Sequence, residues 1–294
     1  MKTKVQQNIK AYLFMAPALL ILTVFVITPI IGSFPLMFYD YSVVGTTKFI
    51  GFNNFIRAFG DREFWIAIKN SFIFVMIVPV LQILAVLMAI LVNKKIFGIS
   101  VFRTLFYIPV ITSMVAVSIM WGFLFSSSGV INTVLINMGI ISQPLGFVND
   151  SKTAMLCIMF ITIWQGIGYY MMLYLAGLQS VPKELEEAAL VDGANAIQTF
   201  IKIKLPLLKP YIWFCSLNSV ISAIGVFDVV YVLSKGGPDN ATMVINYYSY
   251  TKAFTDFEFG YASAIGAVQA LITTSLSIFI FIYGNKGGGM KGDE

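Results

Sequence analysis

Long stretches of this chain carry no charged side chain. Residues 11–39, 70–93, 104–149, 153–182 and 259–285 hold no Asp, Glu, Lys or Arg, and 210–234 hold only Asp228. A helix needs roughly 20 apolar residues to cross a bilayer core. In lipid every backbone N–H and C=O must be paired internally, which leaves helices or closed barrels as spanning structures. Continuous apolar runs of this length favour the helix. The expected fold is therefore all-α: a polytopic membrane protein with six transmembrane helices, near 11–38, 70–92, 104–125, 154–179, 210–233 and 261–284. The chain is 58% hydrophobic and 11% charged, where soluble domains hold about 25% charged residues. The run 104–149 has room for two spans. Ser126-Ser127-Ser128-Gly129, Asn132, Asn137, Gln143 and Pro144 make its second half a poor lipid-facing helix. A short interfacial helix around Ile131–Met138 is expected there instead.

Lysine and arginine set the orientation, because cytoplasmic loops are enriched in them. With six spans and the N-terminus inside, twelve of the 19 cations fall on the inner side and seven on the outer. Both termini are thus expected in the cytoplasm. The first apolar run is longer than the 7–15 residues of a signal peptide and no small-residue cleavage pattern follows, so it reads as an anchor. The net charge of +5 is scattered between apolar runs, which speaks for topology and against nucleic-acid binding. Cys157 and Cys215 both lie inside apolar runs and read as small apolar fillers. With no histidine there is no imidazole base or ligand. No G-x-x-x-x-G-K-[ST] loop is present to cradle phosphates, and no catalytic or metal-binding constellation is visible. The outer segment 40–69, with Phe52-Asn53-Asn54-Phe55 and Phe64-Trp65, reads as an amphipathic helix at the interface. The tail Lys286–Glu294 is glycine-rich and expected to be disordered.

The most charged internal segment is 182–210, PKELEEAALVDGANAIQTFIKIKLPLLKP. Pro182 suits the start of a helix, and Glu184, Glu186 and Glu187 sit where the helix dipole favours negative charge. Leu185, Ala188, Ala189 and Val191 form an apolar stripe. Gly193 can take the left-handed conformation that ends a helix. A second helix is expected from about Ala196 to Leu205, with Lys202 and Lys204 in water, until Pro206 and Pro210 interrupt it.

This segment resembles the cytoplasmic loop of permeases of binding-protein-dependent ABC importers, whose pattern is E-A-A, three residues, G, nine residues, I-x-L-P. Here it stands as Glu187-Ala188-Ala189, Gly193 and Ile203-Lys204-Leu205-Pro206. The form with Asp192-Gly193-Ala194, and Gly236-Gly237-Pro238 after the fifth span, is similar to the carbohydrate-uptake branch, maltose or multiple-sugar type, and to the first permease of its pair. The resemblance implies a single transmembrane permease domain over 1–294, with Glu187, Ala188, Ala189, Asp192 and Gly193 as the ATPase-coupling residues of a coupling helix. It implies a second permease subunit, two ATPase subunits and an extracytoplasmic solute-binding protein as partners. It also implies a bacterial inner or plasma membrane location, and no cofactor on this chain, ATP and Mg belonging to the partner ATPase.

Polar groups in spans are costly facing lipid and should face the bundle or a wet path. Gln165, Gly166 and Tyr169 in the fourth span, and Asn218, Ser219, Ser222 and Asp228 in the fifth, are the candidate substrate-path residues. Positions 165 and 169, and 218 and 222, share helical faces. Amides and hydroxyls beside aromatic rings suit a sugar. The resemblance to maltose-type permeases places pocket residues at Gln165 and Tyr169. The competing reading is close helix packing by small residues and, for Asp228, a wet helix-end carboxylate paired with Lys235. Alternative functions are a permease for a sugar-like anion or polyol, such as glycerol-3-phosphate or sialic acid, or an ion-coupled secondary transporter. The latter would normally place several ionisable residues at mid-membrane; only Asp228 is available.

Overall fold

The structure, a computed structural model, describes residues 2–41, 47–94 and 97–286. The chain divides into two compact units, Met1–Asp61 with Ser249–Val268, and Arg62–Tyr248 with Gln269–Glu294. The helices in chain order are α1 (Lys2–Leu22), α2 (Thr28–Ser33), α3 (Asn53–Gly60), α4 (Arg62–Val75), α5 (Ile77–Val92), α6 (Ile99–Ile111), α7 (Met114–Phe125) and α8 (Val130–Asn137). They continue with α9 (Ala154–Gln179), α10 (Lys183–Val191), α11 (Ala196–Thr199), α12 (Leu205–Leu207), α13 (Lys209–Ile224), α14 (Asp228–Leu233), α15 (Ile245–Phe254) and α16 (Phe259–Lys286). Among the described residues, six helical stretches are long and apolar enough to cross a membrane: Tyr12–Phe38, Arg62–Val92, Met114–Asn137, Ala154–Gln179, Lys209–Leu233 and Phe259–Gly284.

The expected third span, 104–125, is in fact two helices. Helix α6 starts earlier, at Ile99, and stops at Ile111, two residues after Pro109. Thr112 and Ser113 are extended (ψ 138° and 133°) before α7 resumes. The early start escapes a charge-based boundary because Arg103 bends back: its Nη2 and Nε donate to the Val92 carbonyl at 2.6 and 3.2 Å, closing the end of α5. The single interfacial helix expected over 40–69 is also corrected. A two-residue antiparallel pair joins β1 (Tyr39–Asp40) to β2 (Lys48–Phe49), then α3 and the start of α4 follow. The expected glycine-rich tail lies, from residue 287 onward, outside the described residues.

Two π-helical turns, Thr23–Ile27 and Phe200–Lys204, each end two residues before a proline, Pro29 and Pro206. Proline lacks an N–H and its ring crowds the carbonyl four residues back. Widening the preceding turn relieves that clash, and the next amide bonds five residues back: Thr28 to the Thr23 carbonyl, Leu205 to that of Phe200. Pro206 therefore does not end the expected 196–205 helix. The chain stays helical through Leu207 and turns at Leu208.

In lipid, apolar contact does not by itself drive helices together, so close approach of small residues does. In the Arg62-containing unit, Ala85 and Ala89 are fully buried on α5. Gly168 of α9 lies against the backbone of α6: a Cβ there would overlap the Phe106 carbonyl oxygen and stand 3.0 Å from Val110 Cγ2. At Gly177 a Cβ would stand 2.8 Å from Leu208 Cδ2 and Tyr211 Cδ2. In the other unit, Asn54 Nδ2 donates to the carbonyls of Met37 and Tyr39, each at 3.0 Å, which pins α3 under the end of the first span. Arg57 grips Glu258 through two bonds of 3.0 and 2.8 Å and lies 4.1 Å over the Tyr261 ring.

Candidate functional site

The five coupling candidates stand on α10 and its C-terminal turn. Pro182 is extended (ψ 133°) and serves as N-cap, one position before the helix it was expected to begin. At the other end Gly193 has φ +75°. Its N–H donates to the Leu190 carbonyl at 3.1 Å and the Ala194 N–H to that of Ala189 at 2.9 Å. That pair of bonds is the Schellman closure, which needs a left-handed residue at this position. Asn195 then caps α11 reciprocally with Gln198, both bonds 2.9 Å. Ala188, Ala189, Asp192 and Gly193 line a groove of about 570 Å³ between α10 and the 196–207 helix. Glu187 lies on the other side of α10, in a groove with Lys94 and Arg103. Leu190 and Val191 leave 67% and 88% of their surface exposed, an apolar edge that water alone would disfavour. Lys204 corrects the sequence reading: it is not simply wet but pairs with Glu186 at 2.8 Å, tying the two helices together.

The structure brings Gln165, Gly166, Tyr169, Asn218, Ser219 and Ser222 to one cavity of about 270 Å³, between α9 and α13. Thr162, Tyr170, Leu81 and Val110 complete most of its wall. No lining residue is Asp, Glu, Lys or Arg. Gln165 Nε2 donates to the Thr112 carbonyl at 2.9 Å, so it closes a backbone group exposed by the break between α6 and α7. Tyr170 donates from its hydroxyl to Asn218 Oδ1 at 3.3 Å. Asp228 is elsewhere. It is exposed at the start of α14, beyond the Gly225 turn, and among the described residues it makes no ion pair with Lys235.

One group behind the cavity escaped the sequence reading. Gln82 is the one hydrogen-bonding side chain in α5 and is buried between Tyr174 and Ser219. Its signal in the sequence is a lone amide in an otherwise apolar stretch of span, which must face inward.

Because Gln165 supports the α6–α7 break through an exposed hydrogen bond to the Thr112 carbonyl, Gln165→Leu is expected to cost roughly 0.5–1.5 kcal/mol, the net contribution of one such bond. A lowered thermal midpoint of the purified chain would report this; an unchanged midpoint would show that the bond contributes nothing.

The comparisons agree with this architecture. Residues 66–285 match the family model described as binding-protein-dependent transport system inner membrane component. The chain is 36% identical over 281 residues to a probable ABC transporter permease, YesP, of Bacillus subtilis, covering 94% of this chain and 90% of that one. It is 34% identical to the lactose transport system permease LacF of Rhizobium radiobacter, covering 93% of each. The trehalose/maltose transport system permease MalF of Thermococcus litoralis is 32% identical, with 94% of each covered. A crystal structure of a bacterial ABC transporter importing the acidic polysaccharide alginate shares the fold, with TM-score 0.84 over 97% of this chain and 98% of that one, at 23% identity. By the family match across most of its length and by these relatives, the chain belongs to the inner-membrane components of binding-protein-dependent transport systems.

Proposed function

We propose that this chain is the permease subunit of an ATP-driven importer, passing a neutral sugar or oligosaccharide from an extracytoplasmic binding protein to the cytoplasm. The observation that carries the reading is the cavity between α9 and α13, where two amides, three hydroxyls and two tyrosines stand among apolar side chains with no Asp, Glu, Lys or Arg. Sugar hydroxyls bond to Asn and Gln, and apolar ring faces rest on tyrosine. The names of LacF and MalF, lactose and trehalose/maltose permeases, support the same class. The anionic alternative has support from the alginate importer's fold, but a cavity without cations does not neutralise a carboxylate or phosphate.

In this reading residues 1–294 work as one permease domain, with a second permease, two ATPase subunits carrying ATP and Mg, and the binding protein. Helices α9 and α13 flank the coupling loop and also wall the cavity. They meet at Gly177, packed on Leu208 and Tyr211. From Gln165 to Gln179 α9 runs about 21 Å at 1.5 Å per residue. Closure of the ATPase against α10 then reaches the cavity as a rigid-body movement of these two helices. The test is purification of the complex and a scan of solutes, presented with the binding protein, for stimulated ATP hydrolysis. Stimulation by neutral sugars is expected; stimulation by anionic solutes alone would sink the neutral reading.

The same reading places 182–210 in the cytoplasm and 234–258 outside. Both native cysteines are buried, whereas Glu184 and Thr255 are exposed. Cysteines placed singly at these two positions are expected to react with an impermeant thiol reagent from opposite faces of the membrane. Reaction of both from the outside would refute this topology.

A further inference from the structure

The third and fifth spans are each broken beside the cavity. Val110 and Ala223, each two residues before a break, are part of its wall. At the first break Thr112 is extended, with ψ 138°. At the second the helix stops at Ile224, and Phe227 leaves the helical region with φ −145° and ψ −58°. In an unbroken helix the Thr112 carbonyl would accept from the N–H of Ala116, and that of Gly225 from Val229. Each carbonyl instead takes a side-chain amide from another helix. Gln165 Nε2 of α9 donates to Thr112 at 2.9 Å, and Asn246 Nδ2 of α15 donates to Gly225 at 3.0 Å. A carbonyl only accepts, so the NH2 end of each amide must face it. Beyond the breaks, α7 and α14 pack on one another. A Cβ on Gly122 would stand 3.3 Å from Leu233 Cδ2, and Val117, Val229 and Val230 are buried in one apolar cluster.

We propose that Gln165 and Asn246 are positioning residues, two latches that hold α7 and α14 as one body at the breaks, and that solute releases the first of them. Gln165 also lines the cavity. A solute oxygen that draws on its NH2 group competes directly with the Thr112 carbonyl, so occupancy is tied to the freedom of α7. Asn246 is not part of the cavity wall and holds the other break whether or not solute is present. Both latch bonds are exposed, so opening either strands no buried polar group. A side-chain amide can swing away and return while each half-helix keeps its own backbone ladder. Release shifts the population towards the loosened form that solute otherwise selects. The solute half of this rests on the cavity being the solute path, as proposed above.

The test measures ATP hydrolysis by the complete transporter in proteoliposomes, with its binding protein either empty or loaded with lactose, trehalose or maltose. Gln165→Leu and Asn246→Leu are each expected to raise the sugar-free rate by roughly two- to tenfold, the scale of one net hydrogen bond. The stimulated rate should change little, so the stimulation ratio shrinks by the same factor. Loss of packing alone would instead lower both rates. Gln165→Glu adds a separate readout, and serves where a leucine variant assembles poorly. Protonated, its carboxyl donates to Thr112 as the amide does; ionised, it has no donor. Its sugar-free rate, divided by that of the wild type at each pH, is expected to rise with pH. No Asp, Glu, Lys or Arg of the cavity wall can imitate that profile. If either leucine variant keeps the wild-type sugar-free rate, or the Gln165→Glu ratio is flat with pH, the latches are wrong; the cavity reading then stands wherever sugar still stimulates the wild type. If none of the three sugars stimulates the wild type, the reading of the cavity falls and takes release by solute with it.

Discussion

Gly168→Ala is expected to open the seam between α6 and α9 and abolish transport, while Gly166→Ala, two residues earlier, leaves stability within about 0.5 kcal/mol of wild type. The difference is in what each added methyl meets. At Gly166 a Cβ would stand 3.7 and 3.8 Å from the Leu81 methyl carbons, an ordinary contact. At Gly168 it would overlap the Phe106 carbonyl oxygen and sit 2.9 Å from the carbonyl carbon. Backbone cannot step aside as a side chain can, so the helices must separate. Overpacking of this kind costs about 3 kcal/mol where nothing flexible yields. Separation would also pull Thr112 from Gln165, one turn away on the same helix pair. The thermal midpoints of the two purified variants check this. Equal midpoints would show that the close approach at Gly168 does not hold the seam.

The contrast between these glycines also marks a limit of sequence reading. Both are the same letter in the same span, and which one touches α6 depends on how α9 is rotated about its axis. Spans were legible because lipid excludes charge over long runs, and the turn at Gly193 because a helix end is decided locally by three or four residues. The break at Thr112–Ser113 was not legible. No charge or turn cluster marks it, and Pro109 alone is tolerated inside α6. Its carbonyl is closed by Gln165, 53 residues on. Lys204 looked wet because its partner Glu186 comes close only once α10 folds back on the next helix. Gln165, Asn218 and Ser222 were found from their spacing along single helices. Their convergence on one cavity is a property of how α9 packs on α13. Asp228, a charge in an otherwise apolar run, drew attention for its cost in lipid, but the Gly225 turn carries it out to an exposed helix start.

Gly193→Val is expected to abolish solute-stimulated ATP hydrolysis while the chain remains in the membrane at normal abundance. A Cβ at Gly193 would have nothing within 4 Å, so crowding is not the cause. The cause is the backbone: φ is +75°, a region where a β-branched residue costs roughly 1–3 kcal/mol. Valine would leave that region and break the bonds from Gly193 to Leu190 and from Ala194 to Ala189. The chain would then leave α10 at another angle, displacing the Asn195–Gln198 cap and the Glu186–Lys204 pair. The groove lined by Ala188, Ala189 and Asp192 would lose its far wall, and movement at α10 would no longer reach α13. Asparagine tolerates the left-handed region better than other residues with a Cβ. Gly193→Asn is therefore expected to keep most of the stimulated activity. If Gly193→Asn fails as completely as Gly193→Val, the bare surface at this position matters for partner contact and the backbone argument is wrong. If Gly193→Val imports solute at the wild-type rate, α10 is not the element through which ATP hydrolysis drives the permease.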